Sequence, residues 1–94
     1  MSVRFNDLEF RPLYDGVQAI VDYGDYELSI VRHSGSYGNA HGLYEIAVFK
    51  EGELVELAGV TMEGDTVKGY LTEENVNGIM LKINTLTGVD GVQV

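Results

Sequence analysis

The sequence predicts an α+β domain: an antiparallel β-meander of about five strands, with one C-terminal amphipathic helix packed on the sheet. Three observations predict it. Apolar and polar residues alternate across residues 17–33 and again across 43–60, the period of half-buried strands. Each stretch is interrupted by a two-residue, glycine-containing turn, the signature of a hairpin. Beyond residue 72 the apolar period lengthens to that of a helix, in "TEENVNGIMLKINTLTG". The 94 residues contain no repeat, no low-complexity tract and no linker, so residues 1–94 read as one domain.

Taken in order, "VRFNDLEF" is expected to be an edge strand anchored by Phe5, Leu8 and Phe10. In the first hairpin Val17, Ala19, Val21 and Tyr23 share one face, and Gln18 and Asp22 the other. Gly24-Asp25 has the composition of a type II′ turn, and Tyr26, Leu28 and Ile30 resume the pattern. Ile20 and Val31 interrupt the polar face. In the second hairpin Tyr44, Ile46 and Val48 oppose Leu43, Ala47 and Phe49. Glu51-Gly52 supplies the turn, and the return strand runs through Leu54 to Ala58. Neither strand of this hairpin is cleanly amphipathic, so both sheet faces are expected to be partly covered, one by the helix and the other by a second subunit or the N-terminal segment.

"TVKGYL" reads as a short strand. Thr72 then has the chemistry of an N-cap, and Glu73 and Glu74 suit the positive end of the helix dipole. Val76, Ile79, Met80, Ile83 and Leu86 form the expected apolar stripe, and Gly88 stands where a helix ends. Gly78, inside the helix, costs about 1 kcal/mol against alanine, which suggests that something approaches closely there. The tail "VDGVQV" is expected to add a short strand or remain unpaired.

Fifteen acids against six bases leave a net charge of −9. Nucleic-acid binding normally requires a basic stripe, so direct binding of DNA or RNA is not expected. An acidic surface instead suits a basic partner protein, including one that itself holds nucleic acid. No cysteine is present, which excludes disulfides and thiolate metal sites and suits a cytoplasmic protein. The first ten residues lack a basic segment followed by an apolar run, and no apolar stretch approaches the ~20 residues of a membrane span. Neither a signal peptide nor membrane insertion is therefore expected.

The nine-residue loop Ser34–Gly42, flanked by "RH" and "LYE", is longer than a usual hairpin connection. It holds His41 and is preceded by His33, but their spacing matches no standard metal site. Its glycines form neither GxGxxG nor a P-loop, and its serines lie in no nucleophile motif. No catalytic residue, metal or cofactor is expected. Tyr37 among Ser, Gly and Asn is instead the composition of a recognition loop. Tyr37, His41 and His33 are accordingly candidate partner-binding residues, joined by Glu51, Glu53 and Glu56 of the acidic second hairpin. Mixed apolar faces and unprotected sheet edges make a homodimer a further expectation.

The succession "YELSIVRHSGSYGNAHGLYEIAVF" then "GDTVKGYLTEENVNGIMLKI", over roughly residues 26–83, resembles small accessory proteins of bacteriophages and prophages. Its most specific part is the helix start Gly69-Tyr70-Leu71-Thr72-Glu73-Glu74-Asn75-Val76. The resemblance implies a host-cell cytoplasmic setting and a role in counteracting host machinery, and it transfers no functional residue. The expected function is a non-enzymatic protein-binding module that binds or inhibits a host defence or nucleic-acid-handling protein, its acids imitating DNA. A small-ligand binder using the 34–42 loop and a homo-oligomeric virion-associated protein are the alternatives.

Overall fold

A computed structural model describes residues 2–94. The strands are β1 (Arg11–Leu13), β2 (Gly16–Asp22), β3 (Tyr26–Arg32), β4 (Tyr44–Lys50), β5 (Glu53–Leu54), β6 (Val67–Leu71) and β7 (Val92–Gln93), and the helix α1 is Glu73–Thr87. All pairings are antiparallel, along the path β1-β2-β3-β4-β5, with β6 also on β4 and β7 also on β2. Three long strands therefore form the middle of the sheet, and each outer edge is shared by two short ones. The α+β meander with one C-terminal helix is the architecture that the periodicities predict.

Register follows the apolar alternation. Ala19 pairs Ile30, which pairs Ile46, and Val21 pairs Leu28, which pairs Val48. These six are buried on the inner face, where Val76, Ile79, Met80 and Ile83 of α1 complete the core. A one-residue slip would turn all six outward, so burial fixes the register. Thr72 caps the helix: its Oγ1 accepts from Asn75 N–H at 3.1 Å, and Asn75 Oδ1 accepts from Thr72 N–H at 3.0 Å. Gly88 ends it in the left-handed region, its N–H donating to the Asn84 carbonyl at 2.8 Å. The β4–β5 turn has positive φ at both central residues, Glu51 at 53° and Gly52 at 82°, which defines a primed turn matched to strand twist.

Four expectations are corrected. The N-terminal segment is not an edge strand: Phe5–Asp7 form a 3-10 turn, and the first strand begins at Arg11. The three-residue step from Phe5 to Leu8 breaks the two-residue period of a strand, and Asp7 Oδ2 closes the turn there by accepting from Arg4 N–H. Phe5 and Phe10 still act as anchors, packing on Tyr44 at ring distances of 5.3 and 5.6 Å. They do so on the inner, helix-bearing face, so the N-terminal segment is not the cover of the outer one.

The return strand after Glu51-Gly52 is also shorter than expected. β5 is two residues long, because the chain turns at Ala58-Gly59 and the Leu57 carbonyl accepts from both Val60 and Thr61 N–H. Val55 and Leu57 pack against the core and Val60 lies within it, and β6 takes over the vacated edge of β4. Leu86, placed in the helical stripe, is exposed. Thr87, one position on, continues the 3.6-residue period from Ile83 and donates its hydroxyl to the Ile83 carbonyl. Gly78 has open space where a Cβ would stand, so no approach from within the chain accounts for it.

Tyr23 is fully buried, and its hydroxyl has no hydrogen-bond partner among the described residues. Burial pushes its pKa up to about 12. Tyr23→Phe should therefore leave stability unchanged or raise it by up to ~1 kcal/mol, whereas Ile83→Ala should cost ~2–5 kcal/mol. Urea unfolding of the two variants checks both signs.

Candidate functional site

The loop Ser34–Gly42 is built by its own polar groups. The His33 carbonyl accepts from the N–H and the hydroxyl of Ser36, at 2.9 and 2.8 Å. His33 Nδ1 accepts from Gly35 N–H at 3.0 Å, and the imidazole meets the Tyr14 ring edge-on at 5.3 Å. Ser34 N–H donates to Asp15 Oδ1 at 3.0 Å, and the Ser34 N–H and hydroxyl together hold the Asp15 carboxyl below its usual pKa. His33 thus serves as loop scaffold. His41 ends a 3-10 turn, Asn39–His41, and is exposed. Among the described residues no three histidines or acids are gathered where they would hold a metal ion.

Tyr37 docks this loop onto β6. Tyr70 N–H donates to the Tyr37 carbonyl at 3.3 Å. A Cβ at Gly69 would collide with the Tyr37 side chain, and one at Gly38 would stand 3.0 Å from the Tyr70 backbone. Glycine at both positions allows the two chains to touch. The β6 ladder slips here, Leu71 opposing Tyr44 but Lys68 opposing Ile46, so Gly69 and Tyr70 together face Glu45 as a bulge. Tyr70 takes φ 57°, a conformation uncommon for an aromatic residue. The bulge projects Tyr70 beside Tyr37, each 60% exposed. With Met62, Asp65, Val67 and Lys68 they line an open hollow of about 280 Å³.

Beneath this corner lies Glu45, half-buried on the outer sheet face. Burial raises its carboxyl pKa, Asp65 adds to the rise, and the Tyr37 N–H and His33 oppose it. From Glu45 the outer face continues across the sheet. Pairing places Gln18, Val31 and Glu45 in one row, Ile20, Ser29, Ala47 and Val67 in the next, and Asp22, Glu27, Phe49 and Leu54 in the third. Gln18 Nε2 donates to Ser29 Oγ at 2.9 Å. Among the described residues, none in these three rows belongs to the core cluster that holds the helix. Its apolar residues Ile20, Val31, Ala47, Phe49 and Val67 remain half-buried, and Leu54 is exposed. The result is an apolar band edged by Asp22, Glu27 and Glu45.

The structure separates the expected partner-binding residues. Tyr37 stands at the Tyr44 end of β4 and Glu51 and Glu53 beyond its Lys50 end, about 20 Å away at ~3.3 Å per residue. Glu53 pairs across from Lys50. Glu56 is occupied within the chain, its Oε2 accepting from Gly64 N–H at 2.7 Å. Tyr37 is instead joined by Tyr70, Met62 and the outer band, which the sequence reading did not name. The available signal was Gly69 inside a strand pattern, a mark of a bulge or of close backbone approach.

No family model, no curated protein and no solved structure matches this chain. Among the described residues no helix is long and apolar enough to cross a membrane.

The Glu45 environment has a consequence for pH. A carboxyl whose folded pKa is raised adds stability below its unfolded pKa, and that contribution is lost as pH rises through the folded value. Glu45→Gln, which removes the buried charge and keeps an acceptor for Tyr37 N–H, should be more stable than the parent at pH 7. The advantage should shrink as pH falls toward 4. Thermal unfolding of both proteins across pH 4–8 checks the sign.

Proposed function

We propose that this protein is a small, acidic, non-enzymatic binding module that engages a basic partner protein through its outer sheet face and the Tyr37–Tyr70 corner. One observation carries the reading: the three long strands present an uncovered apolar band with three carboxylates on it. A domain of this size needs its apolar residues inside, so Phe49, Val31 and Ile20 on the open side call for a function. Tyrosine and methionine at the corner are residue types that contribute rigid or adaptable contact area at interfaces. The net charge of −9 favours encounter with a basic surface and disfavours polyanions. The resemblance to phage accessory proteins supports a narrower reading, in which the partner is a host defence or nucleic-acid-handling protein and the acids compete for its basic groove. The 280 Å³ hollow is smaller and more open than typical ligand pockets, which weighs against the small-ligand alternative.

Capture of basic proteins from a bacterial lysate, followed by affinity measurement on the captured partner, tests the proposal. Binding should weaken as salt rises, mainly through slower association. Tyr37→Ala and Phe49→Ala should each weaken binding ~10-fold or more, the range of a buried aromatic at an interface. Neutralising Glu51, Glu53 or Glu56 singly should change it less than ~3-fold, as for rim charges. If binding survives Tyr37→Ala and Phe49→Ala but is abolished when all three glutamates are neutralised, the recognition surface is the acidic hairpin.

A further inference from the structure

The outward side of α1 has two features that neither the core nor the proposed partner surface uses. The first is Gly78. A mid-helix glycine is unfavourable, and among the described residues nothing beyond its own stretch of helix lies within 4 Å of where its Cβ would be. The second is charge. From Val76 to Thr87 the helix carries no acid, and Lys82 is its one charged residue. On a chain of net charge −9 this is a surface on which an identical molecule meets little like-charge repulsion. It is also apolar: Leu81 and Leu86 are 38% and 59% exposed, and with Ala58, Gly78, Lys82 and Thr85 they line a groove of about 490 Å³.

We infer that this groove is a self-association surface, in which the α1 helices of two copies of this chain pack antiparallel and cross at Gly78. A two-fold axis through that point makes the contact isologous. It places position 78 + n of one helix beside position 78 − n of its mate, so Lys82 of each protomer meets Glu74 of the other. Glu74, Gly78 and Lys82 are spaced four apart and share one face of the helix, and all three are exposed. Glycine at the crossing lets the backbones approach closely. Lys82 Nζ donates to the Gly59 carbonyl at 2.9 Å in the single chain, and its exposed stem allows the ammonium to turn to the partner's Glu74. Pairing 78 + n with 78 − n overlaps residues 73–83 of the 15-residue helix, a stretch about 16 Å long, and a contact of that length and ~10 Å width lies well below the ~800 Å² per partner of a standard interface. The dimer is therefore weak and transient.

Sedimentation equilibrium of the full chain from about 1 μM to 1 mM tests this, with circular dichroism verifying the fold of each variant. Wild type should be monomeric at the low end and dimeric at the high end. Lys82→Glu and Glu74→Lys should each weaken association ~10-fold or more, and the double exchange should restore it to within ~3-fold. The Glu74→Lys arm separates pairing from bulk charge: it lowers the net negative charge, so a non-specific effect would strengthen association. Gly78→Gln, which fills the crossing with a better helix former, should raise monomer stability and abolish the dimer. A clean monomer at 1 mM, or a dimer indifferent to all four variants, overturns the inference. Self-association is read at Glu74, Gly78 and Lys82 and partner binding at Tyr37 and Phe49, so failure of one leaves the other standing, although Tyr70 and Lys68 share a hollow with Glu74, Gly78 and Lys82.

Discussion

The seating of one helix on one face of three long strands is the constraint from which the rest of this structure follows. Val76, Ile79, Met80 and Ile83 are the apolar stripe of α1, and they meet Val21, Leu28, Ile30, Ile46 and Val48 in a single cluster. Among the described residues there is no second α-helix to cover the other side. Phe5, Leu8 and Phe10 also go to the helix side, where the aromatic triangle with Tyr44 draws them. The outer face is thus open as a consequence of where a limited stock of apolar residues was used. Its band of Ile20, Val31, Ala47, Phe49 and Val67 is what remains.

That constraint also explains what could be read in the chain. Alternation over residues 17–33 and the helical stripe are local patterns, and burial against one common layer enforces both, so these elements appear where the periodicity puts them. The Gly24, Gly52 and Gly88 turns each rest on a φ near 70–90°, a preference that the residue type declares. Interruptions of the polar face by Ile20, Val31 and Phe49 were legible too, though not that nothing would cover them. Expectations failed where two segments compete for one partner. Residues 53–60 alternate like a strand, yet β6 displaces most of them from β4, because Val55, Leu57 and Val60 bury more by turning into the core. Nothing local in either segment decides that contest.

The same distinction holds at the candidate site. Tyr37 could be singled out from its loop composition. Tyr70 and Met62 could not, because they reach Tyr37 through a bulge set by long-range register. His33 was grouped with Tyr37 as a candidate contact, and in the structure its carbonyl, N–H and ring nitrogen are all engaged in holding residues 34–36. The glutamates of the second hairpin were grouped with Tyr37 by charge alone. A seven-residue strand lies between them, and Glu56 is already engaged with Gly64.

Charge divides the surface into two proposed interfaces with opposite behaviour. On the outer face Asp22, Glu27 and Glu45 stand among apolar residues, so two copies meeting there would bring six carboxylates together, and a basic protein is the occupant that the field favours. On α1 the acids stop at Glu74, and the face beyond is neutral apart from Lys82. Long-range repulsion between two −9 molecules opposes self-association wherever it occurs, and salt screens that repulsion within about a Debye length of 8–10 Å. Rising ionic strength therefore removes attraction from the outer-face contact while relieving repulsion across the helix contact, at some loss to the Glu74–Lys82 pairs. The two processes separate along one experimental axis because the outer face carries three carboxylates among its apolar residues, whereas α1 beyond Glu74 carries none.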